Sequence, residues 1–198
     1  MAKSEYRSAV RSRKRIHMAL ADLLQEKPLD KITVTDVVRR AGINRGTFYA
    51  HFSDIPDVIH HASEELFSHL RQTAFEAPVK PEEIPHVLLQ SLQKILESEF
   101  DFCQTVMTSG AAQVMIEQMT QLCLDYLLGH EEKFGFGSSQ HYALAIRFCA
   151  GGMANLYHDW FCGRIPLTLE QLTQQMEQLL NRTIASAKEA AATAGERQ

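Results

Sequence analysis

The sequence predicts an all-α protein in which a short, basic, three-helix N-terminal module is joined to a larger acidic helical body. Apolar residues recur at helical spacing along nearly the whole chain, and no stretch alternates convincingly at period two. Charge divides sharply along the chain. Residues 1–53 hold 11 Lys/Arg against 5 Asp/Glu, a net +6, and residues 54–198 hold 9 against 19, a net −10, which together give the overall −4. Between Thr33 and Phe52, helix-start and helix-stop residues alternate closely enough to define two very short helices and the turn between them.

The first helix is marked by Ile16, Ala19, Leu20, Leu23 and Leu24, which fall on one stripe and end before Pro28. Thr33-Val34-Thr35-Asp36 has capping-box spacing, and Val34, Val37, Val38 and Ala41 form the buried side of the second helix. Gly42 supplies the left-handed stop, Ile43 an apolar anchor, and Asn44 a second N-cap, so a third helix runs from about Arg45 to His51. Two helices of about two turns joined this way make a helix-turn-helix.

Ser53 and Asp54 are both good N-caps for a fourth helix, with Pro56 in its first turn, reaching about Glu76 before Ala77-Pro78-Val79-Lys80-Pro81 interrupts it. Further helices are expected at about 82–97, 100–108, 111–131, 139–163 and 168–187, with loops at Gly135–Ser139 and Arg164–Pro166. The expected organisation is a module over 1–53, a body over 54–187, and an alanine-rich tail fraying over 188–198.

No apolar run approaches the ~20 residues needed to cross a bilayer, and the N-terminus lacks a signal-peptide apolar region, so a cytoplasmic protein without membrane contact is expected. Cys103, Cys123, Cys149 and Cys162 show no Cys-x-x-Cys spacing and read as reduced thiols in apolar surroundings. Neither the adjacent His60-His61 nor the scattered His130, His141 and His158 form a His-x-x-x-His or carboxylate-paired pattern, so no metal and no cofactor are expected. Catalysis is not expected either. Cys149 and His158 are nine apart, which along a helix is about 13 Å and beyond hydrogen-bond reach. No glycine-rich phosphate loop or nucleophile elbow is present.

Phe48 and Phe52, four apart, suit the buried side of the third helix and turn Arg45, Gly46, Tyr49 and Ala50 outward. An arginine on such a face can donate two bonds to guanine O6 and N7, the commonest base-specific contact. Gly46 permits close backbone approach, and Ala50 suits a thymine methyl. Thr47, Tyr49 and His51 offer short-reach donors to phosphates, which set register without reading sequence. The preceding helix adds Arg7, Arg11, Arg13, Lys14 and Arg15. Arg11 and Lys14, three apart, can lie together at a backbone phosphate. The module therefore reads as a binder of double-stranded DNA.

The stretch from Ile32 to Phe52 resembles the DNA-binding signature of the TetR family, and roughly the first 55 to 65 residues match it in order and spacing. The resemblance implies an all-α homodimer of about nine helices per subunit, with DNA binding by the first three and a ligand-sensing, dimerising body. It also implies DNA contacts from Thr33, Arg45, Gly46, Thr47, Tyr49 and His51. A Lys that often follows the Phe52 position in the family is replaced here by Ser53-Asp54.

More weakly, His141–Leu180, with Gly151-Gly152, Trp160, Gly163 and Pro166, is similar to the C-terminal part of one branch of these regulators. The family pairs its subunits through the last two long helices, which implies a dimer interface of Met153, Leu156, Tyr157, Trp160, Leu172, Met176 and Leu179. Family members usually enclose an apolar effector cavity, for which Phe100, Phe102, Met107, Met115, Met119, Tyr126 and Phe148 are the candidate lining, with a small apolar or amphipathic effector. The function expected is a dimeric regulator on a near-palindromic operator, a repressor released by its effector. The alternative is a coactivator or architectural factor on the same scaffold, acting through protein contacts.

Overall fold

A computed structural model describes the backbone of residues 2–75, 79–130 and 140–195. The described residues form nine α-helices and no strand. They are α1 (Ala2–Glu26), α2 (Val34–Ala41), α3 (Arg45–Tyr49), α4 (Ile55–Phe75), α5 (Ile84–Ser98), α6 (Phe100–Met107), α7 (Ala112–Leu128), α8 (Gln140–Phe161) and α9 (Leu169–Gly195). The loop expected at Gly135–Ser139 lies outside the described residues, as do Ala77 and Pro78 of the Ala77–Pro81 interruption. The last helix continues through the alanine-rich segment to Gly195, where the sequence pattern predicts fraying from Lys188.

Two compact units share these helices: residues 1–65 with 101–115, and residues 66–100 with 116–198. In the first, Ile16, Ala19, Leu20 and Leu23 of α1 close over Val37, Val38 and Ala41 of α2. Phe48, Phe52, Val58 and Ile59 are also buried in this unit. The start of α4 is fixed by its own acids. Asp54 Oδ1 accepts the Asp57 amide at 2.8 Å, and Asp57 Oδ2 accepts the Ser53 amide at 2.8 Å.

In the second unit α9 packs against both α8 and α5. Helix α5 contributes Ile84, Leu88, Leu89, Leu92 and Leu96, all fully buried. The α8–α9 corner is a built turn. Gly163 takes φ +71°, the left-handed conformation that ends a helix, and the Trp160 indole N–H donates to Leu167 O at 2.8 Å. Thr168 and Gln171 then cap α9 reciprocally, Oγ1 accepting the Gln171 amide at 3.2 Å and Oε1 accepting the Thr168 amide at 3.0 Å. No described helix is long and apolar enough to cross a membrane.

Candidate nucleic-acid interface

The helix-turn-helix is assembled from local bonds. Thr33 accepts the Asp36 amide at 3.2 Å while Asp36 Oδ2 accepts the Thr33 amide at 3.0 Å, which fixes the start of α2. At its other end Gly42 sits at φ +60°, ψ +44°, and Arg15 Nη2 reaches from α1 to donate to Gly42 O at 3.0 Å. Asn44 Oδ1 accepts the Thr47 amide at 2.7 Å and opens α3. The third helix is five residues long, held down by the fully buried Phe48 and, just after it, by Phe52.

That anchoring decides what faces outward. Arg45, Gly46, Tyr49 and Ala50 are exposed, Tyr49 at 58%, while Thr47 and His51 are half-buried. The Tyr49 ring stands edge-on to Phe48 at 5.5 Å, so its orientation is set by the core beneath it. Arg45 Nη2 donates to Thr35 Oγ1 at 2.6 Å. The contact holds the guanidinium across the α2–α3 corner with its other N–H groups still available. At Gly46 an added Cβ would lie 3.3 Å from Asn44 Oδ1, so a side chain there would press on the cap of α3 as well as on any approaching duplex.

The cations divide into two groups. Lys27 bonds Asp36 Oδ2 at 2.7 Å, Arg39 meets Asp36 Oδ1 at 3.3 Å, and Arg40 bonds Glu26 at 2.7 Å and approaches Asp22 at 3.7 Å. These pairs neutralise much of the basic surplus locally. The Lys27 hydrogen bond, followed by those from Thr33, holds the Asp36 carboxyl far below the usual carboxylate range. Arg11 and Lys14 are exposed on α1 and make no ion pair with the described residues. The side chain of Arg7 lies outside the described part. Burial, with the nearby Arg13 and His61, lowers the His51 pKa, so this ring offers an N–H rather than a charge at neutral pH.

Thr33, taken as a DNA contact from the family resemblance, has its hydroxyl engaged within the cap, donating to Asp36 Oδ2 at 2.7 Å. Lys27, which sequence reasoning did not name, and Arg15, named only within the basic run of α1, gain their roles from the structure, as partners of Asp36 and Gly42. After Phe52, where a cation is absent, Ser53, Asp54 and Asp57 bond one another.

The residues named for subunit pairing separate into two sets. Met153, Tyr157, Leu172 and Met176 are buried within their own chain. Leu156 is half-buried, and Trp160 is held by Leu167 O and by ring contacts with Phe100 at 6.0 Å and Phe161 at 4.9 Å. Leu179 alone of the seven is open, at 56%. The exposed apolar surface of α8 lies elsewhere, at Leu144 (67%) and Phe148 (81%).

The candidate effector lining is also divided. Met107, Met115, Met119 and Tyr126 are buried and Phe102 is half-buried, but Phe100 is exposed and Phe148 stands in solvent, where it cannot line an interior cavity. Phe102, Met107 and Met115 belong to the first unit and the other four to the second. Burial pushes the Cys123 thiol up to about 12, which leaves it inert. His158, weighed against Cys149 from sequence, instead approaches Cys162 Sγ at 3.6 Å, four residues on and just past the end of α8.

Residues 16–68 match the family model described as "Bacterial regulatory proteins, tetR family". The chain is 38% identical over 55 residues to the "Uncharacterized HTH-type transcriptional regulator YvdT" of Bacillus subtilis (strain 168), a match spanning 28% of each chain. Among solved structures, it superposes on a protein from Syntrophomonas wolfei assigned to the TetR-family transcriptional regulators, with TM-score 0.68 and 13% identity, covering 88% of this chain and 95% of that one. It also superposes on NalD, the secondary repressor of the MexAB-OprM multidrug efflux pump in Pseudomonas aeruginosa, with TM-score 0.65 and 15% identity, covering 89% and 96%. Residues 16–68 thus match the tetR-family model, within an all-α fold shared with solved structures assigned to that family.

Proposed function

We propose that this protein is a sequence-specific, DNA-binding transcriptional regulator that acts as a homodimer. The observation that carries this reading is the outward face of α3, where Arg45, Gly46, Tyr49 and Ala50 are exposed together on a helix whose opposite side is locked by Phe48. Arg45 suits direct base readout, and Tyr49, Thr47 and His51 suit phosphate contacts. Arg11 and Lys14 extend the cationic surface along α1. A two-fold pair of such modules fits a near-palindromic operator with half-sites one helical turn apart, about 34–36 Å.

The pairing surface we favour is the stripe of α8 formed by the exposed Leu144, Phe148, Gly152 and Asn155 and the half-buried Gly151, together with the exposed Leu179 of α9, the helix packed against α8. These α8 positions are spaced so as to share one helix face. A Cβ added at Gly151 or Gly152 would meet nothing within 4 Å among the described residues. None of these demands glycine there, whereas close approach of a second helix would. Solvent exposure of a phenylalanine at 81% is likewise offset by burial against a partner.

Repression is the regulatory mode we infer, by analogy with the repressor NalD among the structural neighbours, and its relief by a small apolar effector belongs to the same reading. The effector must prefer the conformation that does not grip DNA, because equal affinity for both shifts nothing. Selection of bound duplexes from a random pool tests the reading. A near-palindromic consensus protected by a dimer is the expected outcome. Recovery of no consensus, together with stable co-purification of another regulator, would favour the coactivator alternative.

A further inference from the structure

We propose that His17, His61 and Glu65 form a binding site for a divalent transition cation of the zinc class, joining α1 to α4 within the first unit. His61 and Glu65 are four apart on α4 and so lie on one face of it. His17 comes from the middle of α1. Each residue offers one ligand atom, and all three atoms lie within 4.8 Å of one another, with His17 Nδ1 already 3.8 Å from Glu65 Oε2. A tetrahedral ion with bonds of about 2.0–2.1 Å brings its ligands to about 3.3 Å apart, so closure needs only rotamer-scale adjustment.

The surroundings favour a metal over a simple ion pair. The two imidazoles lie 5.7 Å apart and both pack on Phe52, at 5.6 and 5.5 Å, so one wall of the site is an aromatic ring. His17 Nε2 and His61 Nδ1 are buried without a hydrogen-bond partner among the described residues. Glu65 is exposed, which provides an entry path and leaves room for a water in the fourth position.

Two imidazoles and one carboxylate suit zinc, nickel or copper(II). They are too nitrogen-rich for calcium or magnesium, and without a thiolate they do not suit copper(I). Phe52 also contacts Phe48 at 6.0 Å, so an ion here would stiffen the packing that carries α3. The proposal stands whether or not the chain binds DNA.

Calorimetric titration of chelator-stripped full-length protein with zinc chloride, with magnesium chloride as a parallel probe, tests the site. One zinc per chain is expected, with no magnesium bound and a rise in thermal midpoint that EDTA reverses. His61→Ala and Glu65→Gln should each weaken zinc binding at least about tenfold. Glu65→Gln changes an exposed side chain and should leave the far-UV circular dichroism unchanged, so lost affinity in that variant reports the ligand and not the fold. Absence of stoichiometric zinc binding, or binding that survives both substitutions, overturns the proposal.

Discussion

Helix α3 buries Phe48 on one side and turns Arg45 and Tyr49 to solvent on the other, whereas α8 is apolar on two sides. One side of α8 carries Tyr142, Ile146, Ala150, Met153 and Tyr157 into its own core, and another presents Leu144 and Phe148 outward. A helix with a single apolar face has its orientation decided by burial alone. With two, burial satisfies one face and leaves the second to be explained by something outside the chain. The contrast between Phe48, fully buried, and Phe148, almost fully exposed, states the difference in a single residue type.

Truncating each of these rings is the strongest way to break the comparison. Phe48→Ala should cost about 3–5 kcal/mol of stability, because it leaves a cavity under the third helix. Denaturant unfolding measures this. Phe148→Ala should change the stability of the dissociated chain by no more than about 0.5 kcal/mol. It should nonetheless weaken self-association by about 2 kcal/mol, roughly 30-fold, in sedimentation equilibrium. A large stability loss with unchanged association would move Phe148 out of the proposed interface.

The same contrast explains what was legible in the sequence. The helix-turn-helix is specified by short-range chemistry: Thr33 with Asp36, Gly42 in the left-handed region, Asn44 with Thr47, each readable within a few residues. Their spacing was enough to place Arg45 and Tyr49 on the outer face. In the body, periodicity located the helices but did not decide between their two apolar stripes. Met153, Tyr157, Leu172 and Met176, which the family resemblance implies at a subunit interface, are buried within their own chain. Trp160, implied there by the same resemblance, closes the turn into α9 through its indole N–H. Half of the His17, His61 and Glu65 cluster stands in the sequence, contrary to the expectation of no carboxylate-paired histidine: His61 and Glu65 are four apart on α4, and only the third member, from α1, needs the fold to bring it in.

Smaller perturbations sharpen the account of the N-terminal module. Thr33→Ala should remove the α2 cap and lower stability by about 1 kcal/mol. If its hydroxyl served DNA alone, stability would not move. Asp36 supplies a pH signature. Its folded-state pKa is depressed by Lys27 and Thr33, so its contribution is complete above the ordinary carboxylate value of about 4 and is lost as pH falls through the lower folded value. Asp36→Asn should therefore be less stable than the parent at neutral pH, and the two should converge as the solution is acidified. Thermal midpoints measured across that range check the sign.

The central claim is that the outward face of α3 reads base pairs while α1 holds the backbone, and Arg45→Ala compared with Lys14→Ala on selected and scrambled duplexes tests it most directly. Fluorescence anisotropy should show Arg45→Ala losing about 1–3 kcal/mol on the selected site and relaxing preference at one base pair. Lys14→Ala should weaken both duplexes alike and reduce the salt slope by about one. Unchanged affinity and selectivity in Arg45→Ala would contradict the assignment of this face to DNA.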